Sequence, residues 1–102
     1  MTKNYFKQIV EKLQSDLDVE YSSIEDEYES GLYEGQCTFL RELIEKSQEK
    51  DFLKKELKAY LVDREQKEYN SWRKAQKDYS LAYHMGIRGC IKRLREKLNE
   101  VG

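Results

Sequence analysis

The residue types able to do bond-making chemistry are few in this chain. His84 is the single histidine among 102 residues, and Cys37 and Cys90 are the two cysteines. Two thiols and one imidazole make no standard zinc set, and the step from His84 to Cys90 does not match the usual ligand spacing. No Ser, Cys or carboxylate is tied to His84 by a nucleophile motif. Glutamates recur at helical spacing, but the Glu-x-x-His pairing of carboxylate-bridged metal bundles is missing. Gly31 and Gly35, and Gly86 and Gly89, sit inside helical periodicity rather than after a strand, so they form no phosphate-cradling loop. These residues point away from an enzyme and call for no metal and no cofactor. The two cysteines read as small buried or half-buried thiols rather than a disulfide.

Binding chemistry has more to stand on. Tyr21, Tyr28, Tyr33, Tyr69, Trp72, Tyr79 and Tyr83 gather towards the middle of each half of the chain. Tyr and Trp serve either as core and core rim or as the anchors of a protein-binding belt. Gly31-x3-Gly35 and Ala82-x3-Gly86 flatten a helix face so that another backbone can come close. Those notches take either a bulky residue of the same fold or a second copy in a symmetric homodimer. Asp16, Asp18, Glu20, Glu25, Asp26, Glu27 and Glu29, with Glu34, form an acidic run from Leu13 to Leu40 that contains no Lys or Arg. Lys3, Lys7, Arg88, Lys92, Arg93 and Arg95 gather at the opposite end of an antiparallel arrangement, as a basic patch able to grip phosphates.

The elements that position these residues are helices. The chain has no Pro and five Gly, and Glu, Lys, Leu, Gln and Arg dominate it, so the class is all-α. Apolar positions recur in steps of three or four through Phe6, Val10, Leu13, Leu17, Tyr21, Ile24, Tyr28, Leu32, Gly35, Phe39 and Leu43. A second stripe runs from Leu53 to Leu98, with a polar interruption from Arg64 to Glu68. Residues 45–51 lose the stripe and supply Ser47 and Asp51 as caps, which places the turn near 46–51. One domain, 1–102, with halves 1–51 and 52–102, follows from this. Its simplest form is a long antiparallel helical hairpin with a coiled-coil-like seam and arms of roughly 60 Å. In that form residue i faces about residue 97 − i, which sets Gly35 against Val62 and Gly86 against Glu11. A four-helix bundle is the alternative, with breaks at Ser22-Ser23 and Asn70-Ser71. The stripe passes both candidate breaks in phase, which favours continuous arms.

Charge is consistent with the hairpin. Residues 1–51 carry 6 basic and 13 acidic side chains, a balance of −7, and residues 52–102 carry 13 and 7, a balance of +6. Folding at the turn sets the acidic run beside Lys58, Arg64, Lys67, Arg73, Lys74 and Lys77. No apolar run approaches the length of a membrane span, and the N-terminus shows no signal-peptide core. A cytoplasmic protein, with no membrane partner, is the expectation.

The halves also repeat. Tyr28, Gly35, Leu40, Leu43, Glu45 and Lys46 recur 51 positions on as Tyr79, Gly86, Ile91, Leu94, Glu96 and Lys97, with Gly31 aligned to Ala82. The pattern Tyr-x2-Gly-x3-Gly-x3-Phe-x3-Leu, filled by Tyr28, Gly31, Gly35, Phe39 and Leu43, resembles small helical accessory proteins of Gram-positive phages and mobile elements. Some of these are anti-CRISPR inhibitors of type II effector nucleases. The resemblance spans about 20 residues in each half, and the near-neutral charge departs from the strongly acidic inhibitors that imitate DNA. It implies a non-enzymatic protein of the bacterial host cytoplasm that binds and blocks or modulates a large nucleic-acid-handling complex. Tyr28, Gly31, Gly35, Trp72, Tyr79, Tyr83 and Gly86 are the candidate protein-binding or dimer residues. Direct nucleic-acid binding through the basic patch, and a structural helical adaptor, are the alternatives.

Overall fold

The stripes fold as four helices: α1 (Lys3–Glu20), α2 (Glu27–Glu49), α3 (Lys54–Lys74) and α4 (Asp78–Glu100). This computed structural model describes residues 3–49 and 54–100, with side chains over 6–46 and 55–99. Helices α2 and α4 are each 23 residues long, and their starts, like those of α1 and α3, lie 51 residues apart. The all-α class holds, but the arms are not continuous. The first break falls at 21–26 and covers Ser22-Ser23. The cap there is Asp26, whose Oδ1 accepts the Glu29 backbone N–H at 2.8 Å. The Glu29 carboxylate in turn accepts the backbone N–H of Glu25 at 3.1 Å, one residue before the usual capping-box partner. The second break is at 75–77, not at Asn70-Ser71. Ser71 instead bonds back to the Lys67 carbonyl within α3, the mid-helix behaviour of a hydroxyl. Residues 46–49 of the turn expected near 46–51 are helical, because α2 continues through Glu49; Asp51, and Leu53 of the second stripe, lie outside the described residues.

Breaking the arms changes which helices meet. Gln14 with Cys37 and Asp18 with Tyr33 set α1 antiparallel to α2. Lys46 over the Tyr60 ring and Arg64 over the Phe39 ring set α2 antiparallel to α3. Glu65 with Arg95 and Glu68 with His84 do the same for α3 and α4. It follows that α2 and α4 run parallel, and they are the most closely packed pair in the fold. The glycines permit this. A Cβ on Gly35 would overlap the Tyr83 carbonyl oxygen, and one on Gly86 would lie 2.5 Å from the Leu32 carbonyl oxygen. Tyr83 is 51 residues from Leu32, as Gly86 is from Gly35, so the contact is reciprocal in the manner of a two-fold interface inside one chain. Gly31 completes it, with its absent Cβ 2.9 Å from Ala82 Cβ and 2.6 Å from the Tyr79 carbonyl oxygen.

These distances correct two expectations. Gly35 and Gly86 meet α4 and α2, not Val62 and Glu11. The notches of Gly31, Gly35 and Gly86 are occupied by the chain's own backbone and are not open to a second copy. Around this parallel spine, α1 and α3 lay down Phe6, Val10, Leu13 and Leu17, and Leu57 and Leu61. They cover Phe39, Leu40 and Leu43 of α2 and Ile87, Cys90, Ile91, Leu94 and Leu98 of α4. Each fully buried Leu contributes about 2 kcal/mol relative to an exposed one. The result measures 38 × 29 × 24 Å, far short of the arms a continuous hairpin requires.

Candidate functional site

Folding each arm back on itself turns the middle of the arm into an end of the bundle. The α1–α2 and α3–α4 connections share that end, because α2 and α4 start there side by side. Tyr21 and Tyr33 pack together with ring centroids 5.9 Å apart. Tyr69 and Trp72 do so at 5.9 Å, and Tyr79 and Tyr83 at 6.1 Å. Tyr21, Tyr33 and Tyr83 lean on the core, so this part of the belt is core rim. Tyr28 does not: it is 47% exposed, and Ile24 is 43% exposed. The stripe had placed both inward, but the helix breaks just before them and releases them from the core.

The acidic run faces water rather than α3. Asp16 pairs with Lys12 of its own helix at 2.7 Å, and Asp18 accepts from Gln14 and Tyr33, each at 2.9 Å. Glu20 meets Arg93 at 3.7 Å, and Glu34 accepts from the Tyr79 hydroxyl. Asp26 and Glu29 are spent on the α2 cap. Among the described residues the pairing of this run with α3 expected from charge does not form; Arg64 instead binds Glu42 and Glu68, and Lys67 binds Asp63. Glu25 and Glu27 are left exposed, with carboxylates that have no partner among the described residues. They flank the cap between Ile24 and Tyr28, so two free negative charges and two exposed apolar groups share one short segment.

The basic patch is divided. Arg88 and Arg95 turn to α3, where Arg95 binds Glu65 at 2.8 Å and Arg88 lies over Tyr69 and Trp72. Arg93 turns to the other side and donates to the buried Gln36 side chain at 2.5 Å. Lys7 is exposed, 3.9 Å from Glu11, Lys92 is exposed, and the side chain of Lys3 lies outside the described residues. Arg88 and Arg95 on one side and Arg93 on the other therefore do not share one phosphate-sized surface.

One cluster was not singled out from the sequence. Glu68 is 3% exposed and receives Arg64 Nη1 at 2.5 Å on one oxygen and His84 Nδ1 on the other. Arg64 Nε reaches Glu42 at 3.1 Å, and the Tyr60 hydroxyl donates to the same oxygen at 2.7 Å. Burial and that carboxylate together push the Tyr60 hydroxyl well above the usual phenol range. The opposing carboxylates and hydrogen bonds outweigh desolvation and raise Arg64, so it stays charged. The polar interruption from Arg64 to Glu68 in an otherwise apolar stripe was the signal for this network. It locks α2, α3 and α4 together. His84 is held by Glu68 and edges the Tyr83 ring at 5.5 Å. Among the described residues no group of His, Cys, Asp or Glu is placed to hold a metal ion. Cys37 and Cys90 are both free thiols.

No described helix is long and apolar enough to cross a membrane. No family description, curated protein or solved structure matches this chain.

Proposed function

We propose that this chain is a non-enzymatic interaction protein that docks on the basic surface of a nucleic-acid-handling complex and obstructs or modulates it. The supporting observation is the 24–28 segment, where exposed Ile24 and Tyr28 bracket the unpartnered carboxylates of Glu25 and Glu27. Apolar anchors supply affinity once water is excluded around them. The outward carboxylates steer the approach to a positively charged groove and match phosphates in sign. The Asp26 and Glu29 cap holds the backbone of this segment, so little ordering is required on docking. The sequence resemblance supplies the leading target, a type II CRISPR effector nuclease, and with it a phage setting.

The test is target-DNA cleavage by a guide-loaded type II effector nuclease with increasing amounts of the chain. Inhibition that falls about tenfold in the Ile24→Asp/Tyr28→Ala variant, with its melting curve unchanged, supports the reading. A parallel pull-down from bacterial lysate, with and without nuclease treatment, covers other targets. Capture lost after nuclease treatment and insensitive to these two substitutions would move the function to direct nucleic-acid binding.

A further inference from the structure

The two outer grooves of the bundle occupy equivalent positions 51 residues apart and are finished differently. Between α1 and α2, a cavity of about 350 Å³ is bordered by Gln14, Asp18, Tyr33 and Cys37. There the Gln14 amide donates to Asp18 and to Cys37 Sγ, and Tyr33 donates to Asp18, so these four residues satisfy one another, while Arg41, which borders the same cavity, is exposed to solvent. The groove between α3 and α4, about 410 Å³, is lined by Val62, Glu65, Gln66, Tyr69 and Arg88. Arg88 stands where Cys37 stands in the first groove, and it is not satisfied. Its Nε is buried without a hydrogen-bond partner, and it makes no ion pair among the described residues. Its guanidinium lies 5.0 Å from the Tyr69 ring centroid and 5.1 Å from that of Trp72.

A guanidinium stacked on two rings has already lost most of its rotamer freedom. It offers its outer N–H groups as a fixed fork, which suits a carboxylate. Val62, 53% exposed, and Tyr69, 37% exposed, give the groove an apolar flank. The groove therefore fits an acidic side chain next to an apolar one.

The chain presents that combination on its own surface, at Ile24, Glu25, Glu27 and Tyr28. We propose that the α3–α4 groove receives the 24–28 segment of a second copy of this chain. Glu25 or Glu27 would sit on Arg88, and Ile24 or Tyr28 against Val62 and Tyr69. The balance of −7 in residues 1–51 and +6 in residues 52–102 gives the two faces opposite sign, which orients the encounter. Donor and acceptor are different surfaces, so two copies close into a pair only when both contacts form together. Otherwise the assembly lengthens with concentration. The segment is also the one proposed to dock on a partner, so self-association and partner binding exclude one another. Self-association is measured on the purified chain alone, and its failure leaves the partner reading standing.

Sedimentation equilibrium of the purified chain from micromolar to millimolar concentration is the experiment, run on wild type, Arg88→Glu, the double variant Glu25→Arg/Glu27→Arg, and an equal mixture of the two. The wild-type mass rises with concentration, each variant weakens association by roughly tenfold or more, and mixing restores the heavier species. Circular dichroism verifies that each variant is folded, with Arg88→Gln in place of Arg88→Glu where the latter unfolds. A wild type that stays monomeric throughout overturns the proposal. So does association that Arg88→Glu leaves untouched, or a mixture that stays light. Arg88-dependent binding of inorganic phosphate or a single-stranded oligonucleotide, with self-association unaffected, would assign the groove to phosphates instead.

Discussion

Adding one methyl group at Gly35 should separate the two central helices. A Cβ built there overlaps the Tyr83 carbonyl oxygen and lies 2.9 Å from the Tyr83 carbonyl carbon and 3.1 Å from its Cα. All three atoms are backbone of α4, so no side chain can swing aside, and α2 and α4 must move apart. That movement loosens Leu40, Leu43, Ile91 and Leu94, each at most 1% exposed. Overpacking of this kind costs about 3 kcal/mol at the upper end of the usual range. Ala is favoured over Gly in a helix by about 1 kcal/mol, leaving a net loss of about 2 kcal/mol. For a domain of this size the melting temperature should drop by roughly 10 °C. Gly89 is the internal control, since a Cβ there meets nothing within 4 Å. Gly89→Ala should therefore gain up to about 1 kcal/mol from helix propensity alone. Thermal and urea unfolding followed by far-ultraviolet circular dichroism gives both numbers. If Gly35→Ala stabilises the chain as Gly89→Ala does, the parallel α2/α4 contact is wrong, and a hairpin with outward notches regains its standing.

Glu68→Ala removes the shared partner of Arg64 and His84 and leaves the guanidinium half-satisfied between helices, so the urea midpoint should fall by an amount equivalent to about 3 kcal/mol; a change below about 0.5 kcal/mol would mean that the network carries no stability. Burial pushes the Cys90 thiol up to about 12 from an ordinary value of 9.0, so in the native protein it should resist alkylation under mildly alkaline conditions and react only on unfolding. The same shift fixes a pH dependence. Between about pH 9 and 12 the unfolded chain releases a proton that the folded chain keeps, so this contribution is intact below pH 9 and lost as pH rises through that window. Tyr33 and Tyr79, pushed up to about 12 by their hydrogen bonds to Asp18 and Glu34, act in the same direction. The melting temperature should fall across this range, less steeply in Cys90→Ala, and a flat profile would contradict the burial of Cys90.

Composition and periodicity were sufficient for the all-α class, since a Pro-free chain with apolar steps of three and four can bury a continuous face only as helices. The 51-residue echo of Tyr28, Gly35 and Leu43 in Tyr79, Gly86 and Leu94 likewise marked the two segments that became α2 and α4. Where the helices stop was only partly legible: Ser22-Ser23 marked the first break as an alternative, but the stripe crosses 21–26 and 75–77 in phase, and phase along the chain says nothing about a change of direction. Every facing relation depended on those breaks. A continuous arm sets Gly35 near Val62, whereas a broken one brings it to Tyr83, a contact set by three-dimensional packing and not by spacing. The same breaks released Ile24 and Tyr28 to solvent and left Glu25 and Glu27 without partners, whereas the separation of Arg88 from Arg93 was set by their five-residue spacing on one helix. Residue types in the sequence therefore determined which helices form and what they could bind. The tertiary structure alone decided which groups are spent on the fold and which remain available, because burial and pairing depend on neighbours distant in the chain.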